Sequence, residues 1–221
     1  HLLKWQQSFI QEMVQNFYKL MIPHKILNIK LSKSMKNLKL FVLLFCFFNI
    51  LSYSNIMAYE ESNYEIVKKN EVFEIRKYSD RLAVETIEHN QNSGFRKLFN
   101  YISGNNKNNE EIKMTTPVTR VEKNGNMTMQ FYLPLKFDEN NVPDPTADDI
   151  KVVNIEGGYY ASIIYSGRST DKNFIKHKNI LEKELLNNNI SIISPPIRAT
   201  YNSPFTLPML RRNEAMFKIV F

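Results

Sequence analysis

Arg81-Leu82-Ala83-Val84-Glu85-Thr86-Ile87, followed by Ser93-Gly94-Phe95-Arg96-Lys97-Leu98-Phe99-Asn100-Tyr101-Ile102, decides the fold of this chain. The first run reads as a strand entered through the turn residues Ser79-Asp80. In the second, Phe95, Leu98, Phe99 and Ile102 stand at i, i+3, i+4 and i+7, one apolar stripe of a helix. Ser103-Gly104-Asn105-Asn106 ends it with residues suited to a left-handed cap. After an Asn-, Lys- and Glu-rich loop at 105–111, Ile112–Val121 and Met127–Leu133 bracket Asn124-Gly125, a strong hairpin signal. The unit is therefore strand, helix, strand, strand.

Working outward, the same order recurs. Leu135 to Asp149, with two prolines and many acids, reads as a long exposed connection. Ile150–Ile155 and Tyr159–Tyr165 are expected to form a hairpin across Glu156-Gly157-Gly158. Ser169-Thr170-Asp171 offers N-cap residues for a helix from Lys172 to about Asn187, with Phe174, Leu181 and Leu185 along one stripe. Arg198–Tyr201 and Ala215–Phe221 close the chain as strands. Upstream, Tyr64–Lys69 and Val72–Tyr78 read as short strands, with Phe73 and Ile75 on one face. Antiparallel hairpins interrupted by two helices indicate an α+β fold, without a residue-level repeat.

The N-terminal quarter differs in kind. Met35 opens a short basic segment, Leu40 to Phe48 is an uninterrupted apolar run, and Ser52 to Ala58 is polar and small. That order is a secretory signal at 35–58, and the apolar run is too short to span a bilayer. Residues 1–34 read as an over-extended leader, although Trp5, Phe9, Met13 and Phe17 have helical spacing. The remaining domain, 59–221, is expected to be exported, to a bacterial periplasm or a secretory lumen, as a monomer without a stable membrane span. The chain carries 29 Lys+Arg against 22 Asp+Glu, but residues 59–221 hold 22 against 21. The basicity belongs to the leader, so no nucleic-acid partner is expected. The only cysteine, Cys46, lies there too, leaving 59–221 without a disulfide framework or a cysteine metal site.

Catalytic signatures are missing: no phosphate-cradling glycine loop, no Gly-x-Ser-x-Gly elbow, no His-Glu-x-x-His. His89 and His177 are the histidines of 59–221, and neither has an acid placed as a dyad partner. No enzyme activity and no metal site are expected. The apolar residues are more informative. Phe205, Leu207, Met209 and Leu210 stand in a loop bounded by Pro204 and Pro208, where they must cover a surface or hold a ligand. Arg211-Arg212 follow at once.

At these residues the chain resembles the SOUL haem-binding protein family. The matching segments include Phe73-Glu74-Ile75-Arg76-Lys77-Tyr78, Tyr101-Ile102-Ser103-Gly104-Asn105, Lys113-Met114-Thr115-Thr116-Pro117-Val118 and Phe131-Tyr132-Leu133-Pro134. Tyr201-Asn202-Ser203-Pro204-Phe205-Thr206-Leu207-Pro208 and Arg211-Arg212-Asn213-Glu214 complete them. The resemblance implies a distorted antiparallel β-barrel of two βαββ-like halves flanked by two helices. It also implies a shallow apolar groove for haem or a related tetrapyrrole. Phe95, Leu98 and Phe99 would face Phe205, Leu207, Met209 and Leu210, with Arg96, Lys97, Arg211 and Arg212 as cations for the propionates. Some relatives carry basic residues where this chain has Asn92 and Asn100, and a histidine where it has Lys77, so no axial ligand is implied. A haem or porphyrin carrier or buffer is the leading function. A sensing or interaction module for another apolar ligand or peptide, and a tetrapyrrole-modifying enzyme, are the alternatives.

Overall fold

Over residues 59–88 and 93–221, the part of the chain described by the computed structural model, the expected alternation of elements is present. Strands β1 (Glu60–Glu61), β2 (Tyr64–Lys69), β3 (Glu74–Tyr78) and β4 (Arg81–Ile87) precede helix α1 (Ser93–Ile102). Strands β5 (Thr115–Thr116), β6 (Val118–Lys123), β7 (Asn126–Tyr132), β8 (Lys151–Ile155) and β9 (Gly158–Tyr165) lead to α2 (Asp171–Asn187). Strands β10 (Ser191–Ile192) and β11 (Ile197–Thr200), a 3-10 turn at Pro208–Leu210, and β12 (Asn213–Val220) follow. The leader at 1–34, the signal at 35–58, Cys46, His89 and Asn92 lie outside the described residues. The chain divides into two units, His1–Ile56 and Met57–Phe221.

The main sheet runs β2-β3-β9-β12-β11-β6-β7-β4-β8, antiparallel throughout, and curls into a half-barrel. Its centre is the β6–β11 pair, from Val118↔Thr200 to Val121↔Ile197. Outward from that seam the order is β6-β7-β4 on one side and β11-β12-β9 on the other. These are the strands of two βαββ units, β4-α1-β6-β7 and β9-α2-β11-β12, so the expected halves are present and arranged about a pseudo-twofold axis. Asn124 and Gly125 turn the β6–β7 hairpin with φ of 50° and 76°, the positive values that this tight turn demands.

Both helices cover the same, convex face. The α1 stripe supplies Leu98, Tyr101 and Ile102 to a core with Val84, Met129, Phe131 and Ile150. α2 supplies Leu181 and Leu185 to a second core with Ile75, Ile163, Ala215 and Phe217. Thr170 accepts a hydrogen bond from the Asn173 amide and caps α2, one residue ahead of the expected start.

Three expectations change. β8 and β9 are not a hairpin: β8 pairs with β4 and β9 pairs with β3 and β12. The Glu156–Gly157 connection instead crosses beside the Tyr78–Arg81 connection, where the Asp80 carboxylate accepts from the Gly157 amide at 2.8 Å. Ile112–Met114 are not strand, because the Ile112 amide bonds to the Ile102 carbonyl and its side chain enters the core. Pro117, which has no N–H to give, separates β5 from β6. The 135–149 connection is not wholly exposed: Phe137 is a core residue, Pro143 is fully buried, and the Tyr101 hydroxyl donates to the Pro143 carbonyl at 2.6 Å.

The other face, with no helix over it, buries a polar network beside a smaller cluster of Tyr78, Tyr160, Ala199, Tyr201 and Met216. Arg76 is 0% exposed and donates to Glu74 and Glu214, at 2.8 and 2.7 Å for the shortest bonds. Glu214, also 0% exposed, accepts further from Ser162, Tyr201 and Arg212. Burial opposes the Arg76 charge, yet Glu214 beside it raises its pKa above the usual arginine value. Tyr64 lies under the Arg76 guanidinium, and the Arg81 guanidinium lies over Tyr78 and Tyr132 at 4.2 and 4.5 Å. Burial pushes Tyr78 up to about 12.

Glu74 makes this network sensitive to acid. Burial would raise its carboxyl, but hydrogen bonds and charge from Lys69 and Arg76 outweigh burial and hold it below the ordinary value. A carboxyl lowered by folding stabilises the fold above its unfolded pKa of about 4.3, and that contribution disappears as pH falls through the lower folded value. Glu74→Gln is expected to flatten the acid limb of a stability-against-pH curve below about pH 4.3. A curve parallel to wild type in that window would contradict the assignment.

Candidate functional site

Phe95 and Phe99 lie one turn apart on the outer side of α1, 40% and 48% exposed, with stacked rings 5.9 Å apart. Phe95 also meets the edge of Phe131 at 5.2 Å, which fixes its ring on the sheet. Gly94 is what lets the helix approach so closely: a Cβ there would stand 2.6 Å from the Glu88 Cγ and 3.3 Å from the Met129 Cβ. Leu98, expected beside the two phenylalanines, is a correction. It is 0% exposed within the core and offers no surface to a ligand. The stripe at i, i+3, i+4, i+7 is wider than the buried face, so its edges, not its centre, remain available.

The cations divide in the same way. Lys97 is ion-paired with Asp149. Arg211 donates to the Thr206 and Pro204 carbonyls, which makes it the clamp that shapes its own loop. Arg212 bonds Glu61 and Glu214 and lies 3.8 Å over the Tyr201 ring. Burial opposes its charge, while Tyr201 and Glu214 raise its pKa above the usual value. Arg96 is exposed and has no ion-pair partner among the described residues.

The loop between β11 and β12 carries its apolar side chains outward. Phe205 is 94% exposed, and Leu207, Met209 and Leu210 are exposed as well. Its inner side and the Arg168–Thr170 turn line a cavity of about 460 Å³ with Phe205, Leu207 and Arg211 on its wall. Sequence reasoning missed that turn. Its only signal was the Ser169-Thr170-Asp171 cap, which says where a helix begins and not what the cap stands beside. No α1 residue lines this cavity.

Helix and loop are nevertheless neighbours across the sheet. Phe131, under Phe95, pairs with Val118; Val118 pairs with Thr200, and the loop follows Thr200 after Tyr201 and Asn202. Two interstrand steps, roughly 10 Å, separate the sheet under Phe95 from Thr200, beyond which the loop begins. Between α1 and α2 the outer side chains of β6 and β11, Val118, Arg120, Arg198 and Thr200, are half-buried, whereas Met129 and Phe131 of β7 and Asn213, Ala215 and Phe217 of β12 are closed over. The result is a shallow, partly covered strip of sheet, with the Arg120 and Arg198 side chains 28% and 13% exposed. His177, for its part, is satisfied: Nδ1 lies 2.8 Å from the Asn173 carbonyl and the ring stacks on Tyr165 at 4.1 Å. Among the described residues no group of His, Cys, Asp and Glu is placed to hold a metal, and no helix is long and apolar enough to cross a membrane.

Comparison with solved structures finds this fold elsewhere. A hydrolase from Listeria innocua superposes with a TM-score of 0.51 at 8% identity, over 70% of this chain and 94% of that one. EcmrR in its complex with DNA gives 0.50 at 11% identity, over 99% of this chain and 82% of that one. At such identities the likeness is one of fold alone. No curated protein matches the chain. The model of the SOUL haem-binding protein family matches residues 59–218, which include both βαββ units, the buried Arg76–Glu214 network and the exposed loop. The chain belongs to the SOUL haem-binding protein family.

Proposed function

We propose that this protein binds haem or a related porphyrin on the shallow strip between α1 and the β11–β12 loop, and acts as a carrier or buffer outside the cytoplasm. The observation that supports it is the placement of large apolar side chains around half-buried sheet. Phe95 and Phe99 are exposed on α1, and Phe205, Leu207, Met209 and Leu210 are exposed on the loop that follows β11. Covering about 200 Å² of such apolar surface would contribute about 5 kcal/mol before the cost of association. Arg96 is the cation of the expected set whose charge is uncommitted among the described residues, and it stands at the rim. Lys97, Arg211 and Arg212 hold the walls in shape, and Leu98 supports α1 from beneath. The protein in this reading supplies a surface and no reaction step.

Hemin titration of the purified protein tests it. A saturable Soret shift at one-to-one stoichiometry is expected, and Phe99→Asp should weaken binding at least about tenfold by placing a charge under the macrocycle. Non-saturating binding by the wild type, or a folded Phe99→Asp protein that binds unchanged, would refute the site. Export rests on the 35–58 segment. It is checked by the N-terminal residue of protein recovered outside the producing cytoplasm, expected at or next to Tyr59.

A further inference from the structure

Arg120 and Arg198 face each other directly across the β6–β11 ladder. Opposed residues of an antiparallel pair share a face, and like charges in that position destabilise the sheet. Here each guanidinium is held by its own acid. Arg120 Nε donates to Glu88 at 2.7 Å, at the end of β4, and Arg198 Nη2 donates to Asp171 at 2.7 Å, in the first turn of α2. The two ion pairs are related by the same pseudo-twofold arrangement as the halves: an acid from each strand-to-helix connection holds an arginine from each seam strand. Arg198 also lies 4.5 Å over the Phe174 ring, which fixes its plane. The acids do not use up the donors. Nη1 of Arg120, and Nε and Nη1 of Arg198, have no partner among the described residues.

We propose that Arg120 and Arg198 form a paired-guanidinium site for the two carboxylates of a flat dianionic ligand. The proposal deepens the tetrapyrrole reading and rests on it for the ligand's apolar body. Glu88 and Asp171 already offset the like charges, so a dianion gains from the donors that those acids leave open, and prior fixation by the acids lowers the entropy lost on binding. Polarity along the strip orients the ligand. Glu122, on the same face of β6 beyond Arg120, is exposed and repels carboxylates at that end. Val118 and Thr200 lie at the other end, toward Phe95 and the Phe205–Leu210 loop. The carboxylates therefore sit on the arginines and the ring system extends toward the loop.

Protoporphyrin IX and its dimethyl ester, titrated against wild type, Arg120→Met, Arg198→Met and the double variant, test this. Each single variant should lose about 5–10-fold in affinity for the diacid and the double variant at least about 30-fold, while the ester binds weakly and alike to all four. If the methionine variants fail to fold, Arg120→Lys and Arg198→Lys keep the charge but lose the planar fork, with expected losses of about 3–5-fold. A folded double variant that binds the diacid within about twofold of wild type overturns the proposal, as does an ester that binds as well as the diacid. Naphthalene-2,6-dicarboxylate separates the two readings. If wild type binds no porphyrin, arginine-dependent binding of this smaller diacid sustains the paired-guanidinium site while the tetrapyrrole reading falls. Binding of neither overturns both.

Discussion

Glu214→Ala is expected to destabilise the protein by about 3–5 kcal/mol, enough to unfold many domains of this size. The carboxylate is wholly buried and accepts from Arg76, Ser162, Tyr201 and Arg212. Its removal leaves Arg76 Nη1 with only a long 3.4 Å bond to the Tyr78 hydroxyl and leaves the Ser162 and Tyr201 hydroxyls without their acceptor. Glu74 still holds the other edge of Arg76, so the loss is smaller than for a lone charge. Replacing both partners, as in Arg76→Met/Glu214→Met, removes the charge along with its partner and should cost less than the sum of the single changes. Urea denaturation of Glu214→Ala, the two single methionine variants and their double measures this. A cost below about 1 kcal/mol for Glu214→Ala would show that the network contributes little to folding.

The second large effect is expected at Gly157. A Cβ there would stand 2.5 Å from the Tyr78 carbonyl oxygen, 2.7 Å from the Ser79 carbonyl carbon and 2.9 Å from the Asp80 amide. All three atoms are backbone, so no rotamer change relieves the overlap, and the two crossing connections must separate. Separation also breaks the Asp80–Gly157 hydrogen bond. Gly157→Ala is expected to cost about 2–4 kcal/mol. Gly158→Ala is the control. Its φ of 119° makes alanine strained, but the nearest atom is the flexible Lys218 Cε at 3.3 Å, so about 1–2 kcal/mol is expected. Equal midpoints for the two variants would mean that the connections yield more readily than their contact suggests.

What could be read from the residues alone followed from local physics. The α1 stripe, the Asn124-Gly125 turn and the Thr170 cap each act within a few residues, and each element stands where its signal placed it. The βαββ recurrence was legible for the same reason. Partner choice was not. Glu156-Gly157-Gly158 has the composition of a hairpin turn, yet here its glycine serves close approach to Tyr78–Asp80, a contact made across most of a sheet. The candidate site divides along the same line. The exposure of Phe95 and Phe99 on α1 and of the Phe205–Leu210 cluster accords with helical spacing and with a place in a loop. Leu98 was misassigned because a stripe does not say which of its members are covered. Arg120 and Arg198 were invisible, since nothing in Thr119-Arg120-Val121 or Ile197-Arg198-Ala199 says that those segments lie side by side.

The arrangement about β6 and β11 also bears on ancestry and on cooperativity. Two units meeting edge to edge through an antiparallel strand pair, about a twofold axis, have the geometry of a dimer of identical chains joined into one. Fusion alone would leave two lobes able to open independently. Here the lobes exchange strands: β3, from the first segment of chain, pairs with β9 of the second unit, and β8, from the later segment, pairs with β4 of the first. Neither lobe can complete its sheet without a strand lent by the other, so the two should melt in one transition. The molecule is double in its geometry and single in its thermodynamics.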